Sequence, residues 1–232
     1  METSQHSLKK SELFHNINLD ETEAIVACLC ATEKKYGREN DIIEMGSSVD
    51  SAGILTKGTA QVVHRDAAGN RMILSEIKEG DLFAEAFAAI KCQSIPVGVV
   101  ALTNCTVVWF AVENILGVCK NQCSFHKTLS SNFARIIAQK NILLNEKVRL
   151  LSCKTTKEKL CMFLSNYAKK TGQLSFHIDF SRDELADFLS VNRSAMSREL
   201  SRLQQEGKIQ YKKNDFQLNP EEFAIYEGKT CY

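Results

Sequence analysis

Three arginines lie within a short polar segment near the carboxyl end of the chain, at positions Arg193, Arg198 and Arg202. A guanidinium group presents a planar fork of N–H donors, which pairs with guanine O6 and N7 or with a phosphate. Serines at helical spacing lie between these arginines, so one polar face carries both residue types. We therefore predict a DNA-contacting face made of Arg193, Ser194, Ser197, Arg198, Ser201 and Arg202.

Two short helices joined by a tight turn are expected to position this face. Ser181 and Glu184 form a capping box, because each side chain can satisfy a backbone N–H group of the other residue. Asn192 is suited to begin the second helix and Gly207 to end it. The core-facing residues recur at helical spacing: Leu185, Phe188 and Leu189, then Met196, Leu200 and Leu203. The pattern predicts a helix-turn-helix motif, although a capped amphipathic helix pair with solvated arginines has the same spacing.

A β-hairpin is predicted directly after the second helix. Ile209 to Lys213 alternates as a strand, Asn214-Asp215 is a turn signal, and Phe216 to Leu218 returns as a second strand. A hairpin in this position is the wing of a winged helix. Lys212 and Lys213 near its tip suit contact with phosphate groups, so the hairpin favours DNA binding over a generic helix pair.

The composition is that of a globular protein with room for two domains. The chain has 232 residues, of which 44% are hydrophobic and 25% charged, and its net charge is +1. No apolar run reaches the roughly 18 residues of a membrane span, and the first residues lack the apolar core of a signal peptide. The nine cysteines are odd in number and scattered, unlike a secreted disulfide framework. We therefore expect a reduced, cytoplasmic protein with no membrane partner.

Short strand signals separated by glycine turns fill the region from Tyr36 to Glu113. This pattern predicts a β-sandwich or barrel, with Trp109 and Phe110 in its core. A hairpin turn is expected at Asp66 to Asn70, between two of the strands. A short amphipathic helix is expected before the strands, from Leu19 to Thr32.

One long helix is predicted from about Phe125 to Cys153, and two apolar rows run along it. The first row steps by three and four residues, as in a coiled-coil seam: Ala134, Ile137, Asn141, Leu144, Val148 and Leu151. The second row is expected to pack on the β region: Leu129, Phe133, Ile136 and Leu143. Because a helix with two apolar faces needs two partners, we predict a parallel homodimer whose register is set by Asn141. The alternative is a helix buried wholly within its own chain.

The order of these segments resembles the Crp/Fnr family of bacterial transcription regulators over nearly the whole chain. The matching residues are Gly46, Lys57-Gly58, the turn Asp66 to Gly69, Ile73-Leu74, Gly80 to Phe83 with Glu85, and above all Leu189 to Leu200. The resemblance implies an α+β fold with an N-terminal double-stranded β-helix (a jelly roll of cyclic-nucleotide-binding type) over 1–124, a long dimerisation helix over 125–153 and a C-terminal winged helix-turn-helix over 154–232. It also implies a non-enzymatic homodimer on a palindromic operator, with RNA polymerase as a further partner if the protein is an activator.

The resemblance assigns roles within the DNA-contacting face. Arg193 stands where the family reads a guanine, and Arg198 stands where a second arginine reads or braces a base or phosphate. Ser194 replaces a base-reading glutamate, so the operator is expected to differ from those of the glutamate-bearing members. Ser197 matches a position that touches base or backbone. Phosphate contacts are expected from four further residues: Thr156, Lys157, Lys212 and Lys213.

The β domain is expected to bind the effector, through a pocket made of Gly80, Leu82, Phe83, Glu85, Ile95, Pro96 and Val97. In members that bind cyclic AMP, a glycine–glutamate pair holds the ribose and an arginine–serine pair holds the cyclic phosphate. Here Ala84 replaces the glycine before Glu85, and Ile95 and Pro96 stand in place of the arginine and serine. A phosphate without a cationic partner is costly to bury. We therefore expect an effector other than cyclic AMP and no bound cofactor.

The cysteines offer an alternative function. Cys119, Cys123 and His126 have spacing that fits a metal or redox sensor, although cysteines in helices more often pack as small apolar residues. Cys28 and Cys30 are poorly spaced for an iron–sulfur cluster, and haem ligation by His64 or His126 has no specific support, so no metal is expected. The sequence contains no catalytic motif. A small-molecule-binding protein that does not bind DNA is the remaining alternative.

Overall fold

The computed structural model describes residues 7–65, 71–117, 123 and 125–223. The chain divides into two compact units, Met1–Lys140 and Asn141–Tyr232, so that the division falls inside one long helix. The first unit holds the β-rich region and the second holds the helix-turn-helix. No described helix is both long enough and apolar enough to cross a membrane.

The first unit is built on two four-stranded antiparallel sheets. After a 3₁₀ turn at Glu12–Phe14, the elements are α1 (Leu19–Cys28), β1 (Thr32–Tyr36), β2 (Asp41–Ile43), β3 (Ser51–Lys57), β4 (Ala60–Arg65), β5 (Arg71–Ile77), β6 (Leu82–Phe83), α2 (Glu85–Ala89), β7 (Gly98–Ala101), β8 (Cys105–Ala111) and α3 (Val112–Leu116). One sheet has the strand order β1-β8-β3-β6 and the other β2-β7-β4-β5. This is the β-roll expected from the sequence. The hairpin turn expected at Asp66 to Asn70 lies outside the described residues, between the paired strands β4 and β5.

A single buried cluster draws apolar side chains from both sheets, including Ile43 and Val99 of one and Ile54 and Val107 of the other. Within the first sheet, Gly53 of β3 lies opposite Phe83 of β6 as its cross-strand partner. A Cβ atom on Gly53 would lie 2.6 Å from the ring of Phe83, so that position has no room for a side chain. Phe110 is buried as predicted, and Trp109 packs at the margin of the cluster. The Trp109 indole N–H donates to the Tyr36 hydroxyl at 3.0 Å, as an amphipathic ring at the edge of a core requires.

The long helix α4 runs from His126 to Ser152 and contains 27 residues. Its first part packs in the β unit through Leu129, Phe133 and Ile136, all of which are buried. The expectation that Leu143 continues this row is wrong, because the β unit ends at Lys140 and Leu143 is 58% exposed. The row of packed side chains therefore ends at Ile136, about two helical turns before Leu143.

The second unit is a winged helix-turn-helix. It contains α5 (Thr156–Thr171), β9 (Ser175–His177), α6 (Arg182–Leu189), α7 (Arg193–Gln205), β10 (Ile209–Lys212), β11 (Asp215–Leu218) and α8 (Pro220–Phe223). The three strands form an antiparallel sheet in the order β10-β11-β9. Its core includes Leu185, Met196, Leu200 and Phe216, each at most 1% exposed.

The wing turn differs by one residue from the turn signal in the sequence. Asp215 belongs to β11 and pairs with Lys212, so the two turn residues are Lys213 and Asn214. Lys213 has φ 53°. Two-residue hairpin loops need a positive φ to match the twist of their strands, and here a lysine takes that conformation.

Candidate nucleic-acid interface

The second helix of the motif, α7, separates a buried face from a polar one. Its N-cap is Asn192, whose side-chain oxygen accepts the N–H groups of Ser194 at 2.9 Å and Ala195 at 3.1 Å. Met196, Leu200 and Leu203 are all buried, as the spacing predicts. The polar residues predicted to contact DNA are all exposed: Arg193, Ser194, Ser197, Arg198, Ser201 and Arg202. The fold thus directs every one of them to solvent.

The first helix of the motif, α6, begins at the predicted capping box. The Glu184 backbone N–H donates to Ser181 Oγ at 3.2 Å, and the Ser181 backbone N–H donates to Glu184 Oε2 at 2.7 Å. The bond from the Ser181 backbone holds the pKa of the Glu184 carboxyl below its usual range. The negative charge of Glu184 in the first turn complements the positive end of the helix.

Two lysines hold the carboxyl end of α6. Lys147 of α4 donates to the Phe188 carbonyl, and its ammonium nitrogen lies 3.6 Å from the centre of the Phe188 ring. Lys159 of α5 donates to the Leu189 carbonyl at 3.1 Å. The last carbonyl groups of a helix have no hydrogen-bond partner within the helix. In α6, ammonium groups from α4 and α5 donate to two of these carbonyls. Burial lowers the pKa of Lys147, and the nearby charge of Lys159 lowers it further. This arrangement fixes the turn at Ser190, which takes φ 51°.

The wing is attached to α6 through Arg182. The guanidinium of Arg182 lies 5.3 Å from the ring centres of both Tyr211 and Phe216 and donates to the Lys213 carbonyl at the wing turn. Burial lowers the pKa of Arg182. The two lysines predicted to contact phosphate, Lys212 and Lys213, are exposed at the tip that this brace holds in place.

Two predicted DNA contacts, Lys157 and Arg202, are ion-paired to one carboxylate. Glu206, which follows α7, accepts from Lys157 Nζ at 2.8 Å and from Arg202 Nε at 3.1 Å. Lys208 Nζ lies 3.6 Å from the same carboxylate. The hydrogen bond from Lys157, together with the other cations, holds the pKa of Glu206 below its usual range. Thr156, which precedes Lys157 at the start of α5, is half-buried.

Arg193 also has an acidic neighbour, because its Nε lies 3.2 Å from Asp183 Oδ1 in the first turn of α6. Sequence reasoning did not find Asp183, Arg182 or Glu206. The spacing of four residues between Arg202 and Glu206 is a helix-pair signal that could have shown the last of them. Asp183 and Arg182 contact residues on other elements, so their spacing in the sequence does not indicate these contacts.

The predicted effector pocket falls mostly in the core of the β unit. Leu82, Phe83, Glu85 and Ile95 are each at most 5% exposed, whereas Val97 is half-buried and Pro96 is exposed. Gly80 lies in the turn before β6 with φ 94°. The Glu85 carboxylate accepts from Lys140 Nζ at 2.8 Å, and Lys140 also donates to the Leu82 carbonyl at 2.7 Å.

Two features of these residues differ from the pattern expected of members that bind cyclic AMP. The carboxylate expected to hold a ribose hydroxyl is 7% exposed and already bound to an ammonium group. Ile95 and Pro96, at the positions expected to meet a cyclic phosphate, have no polar side-chain atom. A buried phosphate needs charged or N–H donors to offset its desolvation.

Cys119, Cys123 and His126 are the residues of the alternative metal or redox site. Cys119 lies outside the described residues. The His126 ring Nε2 donates to the Asn114 carbonyl at 2.7 Å, so that nitrogen carries a proton and is committed to the protein. Over the described ranges, no group of three or more histidine, cysteine or acidic residues could hold a metal ion.

A known protein family matches a range of residues in each of the two units. Residues 33–122 match the family described as cyclic nucleotide-binding domain, and residues 158–223 match the Crp-like helix-turn-helix domain. The chain is 24% identical over 179 residues to the cAMP-activated global transcriptional regulator CRP of Salmonella typhimurium, covering 75% of this chain and 83% of that protein. The protein of the same name from Klebsiella aerogenes matches with the same values.

Solved structures share the fold at low sequence identity. The catabolite activator protein of Thermus thermophilus is 19% identical, with a TM-score of 0.53 and coverage of 94% of this chain and 97% of that one. A CooA variant from Carboxydothermus hydrogenoformans is 15% identical, with a TM-score of 0.58 and coverage of 88% and 89%. CprK complexed with OCPA is 13% identical, with a TM-score of 0.61 and coverage of 88% and 93%.

Proposed function

Because this chain belongs to the Crp/Fnr family of DNA-binding transcription regulators, we propose that it binds a two-fold symmetric operator as a homodimer. Members of the family act by binding DNA and not by catalysis. The observation that carries the proposal is the exposed polar face of α7, which lies opposite a fully buried face and beside a braced wing.

In the proposed complex, α7 enters the major groove with its first residues at the base edges. Arg193 reads a guanine through O6 and N7, and Arg198 contacts a second base or a phosphate. Ser194 and Ser197 contact bases or backbone with short side chains. Ser201 bonds back to the Ser197 carbonyl at 3.1 Å and lines the same face. The positioning contacts to phosphate come from five residues: Thr156, Lys157, Arg202, Lys212 and Lys213.

The dimer forms along the second part of α4. Leu144, Val148 and Leu151 are between 42% and 61% exposed in the single chain, and they lie at seam spacing with the half-buried Ile137. An apolar seam exposed on one chain is covered when a second helix packs against it. Asn141 lies within the seam and sets the parallel register. The two recognition helices then meet half-sites about 34–36 Å apart, one turn of DNA.

We propose that the effector is a small molecule other than cyclic AMP. The Glu85–Lys140 pair and the apolar Ile95 and Pro96 support this proposal. An effector bound in the β unit shifts the population of two dimer conformations and so re-aims the recognition helices. RNA polymerase is a further partner if the bound protein activates transcription.

Selection of bound sites from random double-stranded DNA tests this function, followed by a salt titration on the selected site. We expect an inverted repeat whose affinity falls steeply with salt, because each phosphate contact releases a counterion. Added cyclic AMP should leave the affinity unchanged. Failure to enrich any sequence, together with weak and salt-independent binding, would contradict the proposal and favour a small-molecule-binding protein.

A further inference from the structure

We propose that Asp183 is a positioning residue that determines specificity by orienting the Arg193 guanidinium for base reading. The inference rests on the proposed role of Arg193 at a base edge. Asp183 lies in the first turn of α6, and Arg193 is the first residue of α7. The turn of the motif brings the two side chains together, with Asp183 Oδ1 3.2 Å from Arg193 Nε.

The atom that Asp183 contacts decides what remains for DNA. A guanidinium group has its Nε–H on one edge and its two terminal nitrogens at the end. Asp183 takes the Nε edge, so the terminal nitrogens are left to form the parallel pair of bonds with guanine O6 and N7. The carboxylate thereby fixes the plane of the fork before DNA arrives, which reduces the rotamer freedom lost on binding.

The pair is too exposed to be explained by stability. The side chains of Arg193 and Asp183 are 61% and 70% exposed. Exposed ion pairs contribute little to folding because water and salt screen them. The position is unfavourable for general DNA affinity as well, since a carboxylate on the DNA-facing side of α6 repels phosphate groups.

The orienting contact increases specificity, because the repulsion is the same on every DNA site and only the contact of the fork depends on the base. On a site with guanine at the right position, Arg193 bridges the carboxylate and the base. On any other base the oriented fork lacks its two acceptors, and the protein binds that site less tightly. Discrimination is the difference between these two affinities.

The test measures the affinity of each purified full-length variant for two DNA sites. One is the operator selected from random DNA, and the other is the same operator with one base pair replaced. That base pair is the one at which Arg193→Ala loses discrimination. We expect Asp183→Ala to reduce the ratio of the two affinities by about 5- to 50-fold, in line with the discrimination that one bidentate contact supplies. Asp183→Asn should keep the ratio within about threefold of wild type, because its amide oxygen can take the place of Oδ1 beside Nε and is an acceptor of similar size.

Matched controls separate positioning from charge. Asp187→Ala removes an equally charged, exposed residue from the same helix and should leave the ratio unchanged. In an Arg193→Ala background, Asp183→Ala should have no effect on the ratio, because there is no fork left to orient.

Two outcomes overturn the inference without touching the proposed function. One is an Asp183→Ala protein that binds both DNA sites more tightly with an unchanged ratio, which would make Asp183 a repulsive charge only. The other is equal loss in the alanine and asparagine variants. By contrast, if the wild-type protein showed no salt-dependent binding to DNA, the proposed function itself would be contradicted.

Discussion

Lys140 of α4 joins Glu85 through a bond of 2.8 Å, and the same ammonium group donates to the Leu82 carbonyl at 2.7 Å. The carboxylate that matches the ribose-binding position of the family is thus held inside the β unit by its own chain. Lys140 thus ties α4 to β6 and to the first residue of α2.

Replacing Lys140 with methionine should destabilise the β unit by about 1–3 kcal/mol, because a buried carboxylate would lose its partner. Glu85→Gln in the same protein should recover part of this loss, since a neutral amide is less costly to bury. Denaturant unfolding of the full chain measures both effects. Lys127→Met, at an exposed position of the same helix, is the control and should change the unfolding free energy little.

Arg193→Ala should weaken operator binding by about 1–3 kcal/mol and relax the preference at one base position. Lys212→Ala at the wing should instead weaken binding to all sequences alike and reduce the salt slope by about 1. Fluorescence anisotropy with the selected operator and its single-base variants measures both. An Arg193→Ala protein that loses affinity equally for every sequence would make Arg193 a phosphate contact.

Glu206→Gln should strengthen DNA binding. Its carboxylate now holds Lys157 and Arg202, and loss of its charge makes both cations available to phosphate groups. The salt slope should become steeper by about 1 for each added contact. Glu221→Gln changes an exposed glutamate after the wing and serves as the control for net charge. Equal gains in the two variants would show that the effect is long-range and that the ion-pair cluster is not involved.

Leu144→Asp should dissociate the proposed dimer, because a carboxylate cannot be buried in an apolar seam without a partner. Leu143→Asp is a close control, since the two leucines are adjacent and are 61% and 58% exposed, but only Leu144 lies at seam spacing. Sedimentation velocity over a range of protein concentrations distinguishes the two. A dimer that survives Leu144→Asp and not Leu143→Asp would place the interface on the other row.

Ser181→Ala should destabilise the winged helix by about 1 kcal/mol through loss of the N-cap. The partner residue adds a pH dependence. Because the folded-state pKa of Glu184 lies below its usual value, its contribution to stability is present above the ordinary glutamate pKa and is lost as pH falls through the folded pKa. Unfolding followed from neutral to acidic pH should therefore show a smaller loss of stability in Glu184→Gln than in wild type.

The helix boundaries in the second unit could be read from the sequence because they are set by local chemistry. Ser181, Asn192 and Gly207 each act on backbone groups within a few residues, and all three do so in the structure. Thr155 and Glu158 form a capping box of the same kind at the start of α5. Periodicity likewise identified the buried faces of α6 and α7.

The contacts that hold the site in position could not be predicted, because they join distant residues of ordinary surface types. Nothing near Lys140 or Lys147 in the sequence indicates that the first reaches Glu85 and the second reaches Phe188. The extent of packing along α4 also depends on where the β unit ends, which explains the error at Leu143. The wing turn lies one residue before its predicted position, because Lys212 pairs with Asp215 across the hairpin.

Arg182 holds the wing through two aromatic rings and a backbone carbonyl, and none of these groups belongs to Ser194, Ser197 or Arg198. Substitutions at Ser194, Ser197 or Arg198 therefore leave that attachment intact. Operator sequence can drift during evolution while the domain keeps its stability, and a new reading face can be grafted onto α7 by design. Arg182, Tyr211 and Phe216 would then be inherited together, because the Arg182 guanidinium contacts both rings.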